Sequence, residues 1–162
     1  MAGSAAGLFS LHHQGIIVRD LDAAMEGYRA VFGIQFSEFE ANETNSSFTG
    51  ASDNFSVRFG VGLLGLAFIE LIQPSSGTSI YSSWLQEHGP GLHHLAFSVG
   101  DIAAARRRLE SRGYRSLLDG TINGLAQLSY YGAPDLGCII EPIQFSAALP
   151  AFLLKNAKPF CG

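Results

Sequence analysis

Two stretches of this chain align with each other. HQGIIVRDLDAAMEGYRAVFG, starting at His13, and HLAFSVGDIAAARRRLESRGY, starting at His94, follow one plan. Each reads as a histidine, an apolar strand, an Asp near a turn, and a helix closed by Gly33 or Gly113. The offset of 81 between the histidines becomes 71 further along, where FIELIQP around Glu70 matches CIIEPIQ around Glu141. The difference falls on the polar segment ANETNSSFTGASDN, 41–54, which reads as a loop. Loop length changes of this order cost little. A repeated unit of this kind buries its apolar face against its neighbour, so the two copies depend on each other.

Within each copy the periodicity sets the elements. Asp20 or Asp22 caps a helix whose Leu21, Met25, Tyr28 and Phe32 recur at helical spacing. Asp101 caps the second, with Ile102, Ala105 and Leu109 on its apolar side and Arg106, Arg107, Arg108 and Arg112 on a solvated one. A short helix about 80–88, within a linker 78–89, follows GTS and precedes GPG; His88 closes it as a cap rather than a ligand. Strands are predicted at roughly 11–19, 34–40, 55–61, 65–73, 92–99, 115–118, 125–131 and 137–144. The expectation is a single α+β domain of two βαβββ modules, about 11–74 and 92–145, followed by a tail 146–162. That tail is apolar but broken by Pro150 and Pro159, suited to cover a site, pack across a dimer interface or fray.

Composition narrows the function classes. The net charge is −4, so no basic field exists to hold nucleic acid. Apolar runs such as 61–69 are short and glycine-broken, which argues against a membrane span. MAGSAAGLF lacks a basic n-region, and Cys138 and Cys161 have no zinc spacing, so a cytoplasmic protein is expected. Only 15% of the residues are charged, which makes Glu70 and Glu141 conspicuous inside AFIELI and GCIIEPI. An unpaired carboxylate in such a strand would be expensive to bury.

Strand parity sorts the paired histidines. His94 shares a face with the small Ala96 and Ser98, and His13 with Gly15 and Ile17, so these two look to the open side. His93 goes with Leu95, Phe97 and Val99, so it and His12 look toward packing or a strand end, unless a bulge shifts them. Two imidazoles and two carboxylates suit a divalent ion such as Zn, Ni, Co, Mn or Fe. Four protein ligands leave open positions only at a five- or six-coordinate ion, which favours a catalytic role over a closed tetrahedral site.

The paired βαβββ pattern with His13, Glu70, His94 and Glu141 on its strands resembles the vicinal-oxygen-chelate (glyoxalase/bleomycin-resistance) superfamily. GPGLHHLAFSVGDI, with RLESRGY after it, and HHQGIIVRDLDAAMEGYRAVFG are most similar to methylmalonyl-CoA epimerase-like proteins. The resemblance covers about 11–145. It implies a curved mixed sheet whose concave face holds a metal cup, with ligands His13, Glu70, His94 and Glu141. It implies proton abstraction next to a carbonyl, through a metal-stabilised enolate, with Glu141 or Glu70 as base. It also implies an acyl-CoA thioester or other carbonyl substrate, and a homodimer. Relatives of other kinds give the alternatives: a glyoxalase I-type lactoylglutathione lyase, a non-haem iron extradiol dioxygenase, or a metal-free binding protein of the resistance type. Glu70 as a fourth ligand argues against the dioxygenase, and the survival of all four against the metal-free protein. The third strand, NFSVRFGVG, carries Arg58 near where some epimerases have a further glutamate. Arg58 could bind a substrate carboxylate, although a salt-bridged strand arginine is the commoner case. Of Tyr130 and Tyr131, the remaining substrate-binding candidates, one must face the cup and the other the packing side.

Overall fold

The structure, a computed structural model, describes residues 9–147. Pro150, Pro159 and Cys161, with the roles expected of the tail beyond 147, lie outside the described residues. The elements are β1 (Ser10–Ile17), α1 (Leu21–Phe32), β2 (Phe36–Asn42), β3 (Ser46–Phe48), β4 (Ser56–Leu64), β5 (Ala67–Ser76), α2 (Ile80–His88), β6 (Gly91–Ser98), α3 (Ile102–Glu110), β7 (Ser116–Ile122), β8 (Ala126–Ala133) and β9 (Cys138–Phe145). All nine strands join one sheet in the order β2-β4-β5-β1-β6-β9-β8-β7-β3.

The repeat is visible in that order. In the first copy β1 runs parallel to β5, and in the second β6 runs parallel to β9. The copies meet edge to edge where β1 pairs antiparallel with β6. Two parts of the polar stretch 41–54 are not loop: Ala41 and Asn42 end β2, and a further strand follows. Ser46–Phe48 forms β3 and pairs with Thr121, Ile122 and Gly120 of β7, at the far edge of the other copy. Since β2 and β3 adjoin in sequence yet end the order on opposite sides, the sheet curves almost into a closed barrel. Capping an exposed edge is what the extra strand contributes.

Helices α1 and α3 pack on the outer face. Leu21 and Met25 of α1 bury against Ile69 and Leu71, while Leu109 of α3 packs against Tyr131 and Ile140. Both helices start alike. Asp20 accepts a hydrogen bond from Ala23 N and Asp101 from Ala104 N, each at 2.9 Å. Gln73 at the end of the first FIELIQP motif accepts from Leu21 N at 2.7 Å, and Gln144 accepts from Ile102 N at 2.9 Å. Each strand therefore holds the start of its own copy's helix. Asp22, the other cap candidate, pairs instead with Arg58. Arg106 also leaves the solvated face expected of it: its Nε donates to Ser129 Oγ at 2.7 Å, beside Asp119. Among the described residues no helix is long and apolar enough to cross a membrane.

Candidate metal centre

The concave face holds Ile17, Val57, Phe59, Ile72, Ala96, Leu128, Ile139 and Ile143, and α2 crosses it with Tyr81. Four polar side chains stand inside this apolar lining. They are His13 (4% exposed), Glu70 (8%), His94 (0%) and Glu141 (2%). His13 Nε2 and His94 Nε2 approach to 3.1 Å, and Glu141 Oε2 lies 3.1 Å from each. Glu70 Oε2 is 3.3 Å from His13 Nε2 and 3.7 Å from His94 Nε2. Ligand atoms about 2.1 Å from a shared ion stand about 3 Å apart at right angles, so the spacing matches a ligand set. Glu141 Oε2 is buried and receives no well-formed hydrogen bond among the described residues. An orphaned carboxylate oxygen facing two imidazole nitrogens is the arrangement a cation would complete. His13, Glu70 and His94 are thus compatible with a divalent metal site, and Glu141 Oε2 adjoins both imidazole nitrogens.

The charges of the cluster act on each other. Burial disfavours charge on His13, but the neighbouring Glu70 and Glu141 carboxylates outweigh it and push the imidazole up to about 10. Burial likewise works to raise the Glu141 carboxyl, yet His94 and His13 hold it well below the usual carboxylate range.

The outer histidines are where strand parity misleads. Leu11 pairs with Phe97 and His13 with Ala96, so His12 is an extra residue in β1. Gly15 pairs with His94 and Ile16 with Leu92, so His93 is the extra residue in β6. Each copy thus carries a β-bulge at its first histidine, which turns that side chain away from the face that α1 and α3 cover. His12 sits between Phe68 and Phe145, with ring centroids 5.1 and 4.7 Å away. His93 is set against Trp84, Tyr130 and Tyr81, not beside Leu95 and Phe97. Burial first, and then the neighbouring imidazole, pushes both outer histidines down, His93 to about 3.

Two of the expected substrate contacts are not brought to the cluster. Arg58 projects from β4 to the outer side, bonded to Asp22 at 2.9 and 3.2 Å and to Glu38 at 3.1 Å. Its strand neighbours Val57 and Phe59 take the inner face, as alternation requires. Tyr131 packs under α3 with its hydroxyl donating to Glu110 at 3.0 Å. Tyr130 does reach the site, its ring 4.9 Å from that of His94, but its hydroxyl is taken by Tyr81 at 2.7 Å. His88 stacks on Trp84 at 4.0 Å.

Other contributors carry no signature of chemistry in the sequence. A Cβ on Gly15 would fall 2.0 Å from Cε1 of His94, so the imidazole fits only because that residue is glycine. Tyr81 and Trp84 are foreshadowed only by the apolar spacing of α2. A surface hollow of about 440 Å³ beside α3, lined by Phe9, Arg108, Arg112 and Tyr114, shares no residue with the cluster.

Comparison with known proteins places this geometry. Residues 12–131 match the Glyoxalase/Bleomycin resistance protein/Dioxygenase superfamily. The lactoylglutathione lyase of Schizosaccharomyces pombe is 30% identical over 130 residues, 73% of this chain, although the match spans only 43% of that enzyme. The ethylmalonyl-CoA/methylmalonyl-CoA epimerase of Cereibacter sphaeroides is 29% identical over 144 residues, 81% of this chain and 94% of its own length. A solved methylmalonyl-CoA epimerase in complex with methylmalonyl-CoA and NH4+ superimposes with a TM-score of 0.68 at 26% identity, covering 87% of this chain and 97% of that one.

Proposed function

The chain belongs to the Glyoxalase/Bleomycin resistance protein/Dioxygenase superfamily, and we propose that within it the protein is a divalent-metal-dependent isomerase of the epimerase type. Its substrate would be an acyl-CoA thioester whose carbon next to the carbonyl loses and regains a proton. The observation that carries this reading is the convergence of His13, Glu70, His94 and Glu141 from two copies of one unit, with nitrogens and oxygens 3.1–3.7 Å apart. The bound ion would supply positive charge where proton removal builds negative charge on the carbonyl oxygen. The epimerases similar in sequence and structure support the thioester class.

The chain's own residues divide the remaining work. Glu141 is 2% exposed, beside the equally buried Tyr130 and Tyr81. Glu70 faces the less enclosed side, next to half-buried Phe68 and His12. It is therefore the carboxylate we assign to proton transfer, with Glu141 as an anchor. The apolar cup excludes water, which strengthens the field of the ligand charges on the reacting carbon. Apolar side chains left exposed at the β4–β5 turn and the end of α1, among them Leu63, Leu66, Val31 and Phe32, offer the surface a homodimer would bury.

A second reading is favoured by one feature. The inner face of β4 carries Val57, Phe59 and Val61, so no further acid joins Glu70 there. An isomerase of the lactoylglutathione lyase type, returning the proton from the carboxylate that took it, fits such a cup, and the Schizosaccharomyces pombe relative supports it.

One experiment separates the readings. Purified protein is analysed for metal, then incubated in D₂O with methylmalonyl-CoA or with the hemithioacetal of methylglyoxal and glutathione. Deuterium entering the thioester's α-carbon supports the epimerase, and turnover of the hemithioacetal alone supports the lyase type. Metal-loaded protein that exchanges neither sinks both.

A further inference from the structure

We propose that His12 and His93 are positioning residues, each fixing the tautomer and ring orientation of the ligand histidine that follows it. The inference rests on the reading of His13, Glu70, His94 and Glu141 as a metal site. Each outer histidine occupies a β-bulge, and the bulge brings two consecutive rings to the same side of the sheet. His12 Nδ1 lies 2.9 Å from His13 Nδ1, and His93 Nδ1 lies 2.9 Å from His94 Nδ1. The same contact is therefore built twice, at equivalent places in the repeat.

A neutral imidazole has one N–H and one lone pair. His13 can offer Nε2 to a cation only if its proton sits on Nδ1, and that proton then needs an acceptor. His12 Nδ1 is that acceptor, which leaves the His12 proton on its own Nε2. The same logic makes His93 Nδ1 the acceptor for His94. Metal-bound histidines ordinarily donate their second N–H to a carboxylate or a carbonyl. Here a second imidazole does so.

Packing alone does not account for these residues. His93 is 2% exposed, and its Nε2 has no hydrogen-bond partner among the described residues. A ring that only filled the space against Trp84, Tyr81 and Tyr130 would better be Phe, with no nitrogen to strand. His93 is clamped in place by those aromatic rings, as His12 is by Phe68 and Phe145.

The test is Co(II) binding, measured by competition with a chelator and by the visible absorption of the bound ion. H93F is expected to bind Co(II) about 10- to 100-fold more weakly, with an altered spectrum. H93N, whose Oδ1 can accept near the place of Nδ1, should recover most of the affinity. H93Q, whose acceptor lies one bond further out, should not. The pair H93N and H93Q decides the matter even where H93F fails to fold, and H12F, H12N and H12Q repeat it for His13. Wild-type affinity in H93F, or an Asn variant no better than the Gln one, would overturn the proposal while leaving the metal site intact. Wild-type protein that binds no Co(II) overturns both together.

Discussion

The two copies contribute matching parts to one centre but differ in how they enclose them. On the second copy's side, His94, Glu141, His93, Tyr130 and Tyr81 are all buried, with 0–2% exposed. On the first copy's side, Glu70 is the most exposed of the four converging residues, and His12, Val61 and Phe68 are only half-buried. The register shows where the difference arises. Val61 stands opposite Glu70 on β4, whereas Tyr130 holds the matching place on β8, between the pairs Leu128–Ile143 and Tyr131–Ile140. A duplicated unit has thus become one fully buried half and one more open half, the side on which the proposed substrate would enter.

The largest effect should come from the small residues under the ligand rings. Ala96 lies opposite His13 and Gly15 opposite His94. Gly15→Ala drives a methyl group into the His94 ring, and overpacking of this kind costs about 1–3 kcal/mol. It should also abolish metal binding, because a sealed half has nowhere to move the imidazole. Ala96→Gly, the mirror change, should keep the metal and lose about 1 kcal/mol. Metal content and chemical unfolding measure both, and equal effects in the two copies would remove the asymmetry.

Next come the carboxylates. Glu70→Gln should retain bound metal and lose about 10²- to 10⁴-fold in proton exchange. Glu141→Gln should lose metal first, so that added metal restores part of its activity. The reverse pattern would exchange the roles of the two halves. The helix starts should behave alike instead: Gln73→Ala and Gln144→Ala each lose about 1 kcal/mol, the usual value of a helix cap, since the contacts are the same. Urea titration of the two variants checks this.

The smallest effect concerns pH. Tyr131 lies opposite Ile140, and its counterpart in the first copy, opposite Ile69, is Gly62. Burial, and then the hydrogen bond to Glu110, raise the Tyr131 phenol above its ordinary value. The stabilisation is complete below about pH 10, the unfolded value, and is lost as pH rises past it, because only the unfolded chain releases the proton there. Tyr131→Phe should flatten the decline of the urea midpoint between about pH 10 and 11.5. An unchanged slope would show that this phenol is not held by its surroundings.

Much of this was legible in the chain because alternation and helical spacing are local rules. His13, Glu70, His94 and Glu141 stand out through scarcity of charge and through repetition, and the structure brings them together. Parity fails at His12 and His93 because a bulge adds a residue to one strand, and no local signal marks it. The strand Ser46–Phe48 is hidden for a different reason. Its partner, β7, belongs to the other copy, and a three-residue strand among Asn, Thr and Gly has no pattern of its own. Arg58 and Tyr131 show the limit of reading positions singly. Their strands are recognisable, but which face looks inward at β4 and β8 depends on the register with β5 and β9. Gly15 is silent in sequence, since its role is the space it leaves for a ring from another strand.

The central claim is that residues from both copies hold one divalent ion between them. Metal stoichiometry after loading and gel filtration tests it directly, on wild-type protein beside His13→Ala and His94→Ala, one variant for each copy. The account predicts one tightly held ion per wild-type chain and loss of that ion in both variants. A wild-type chain that holds no ion, or a variant that keeps it at undiminished affinity, would contradict it.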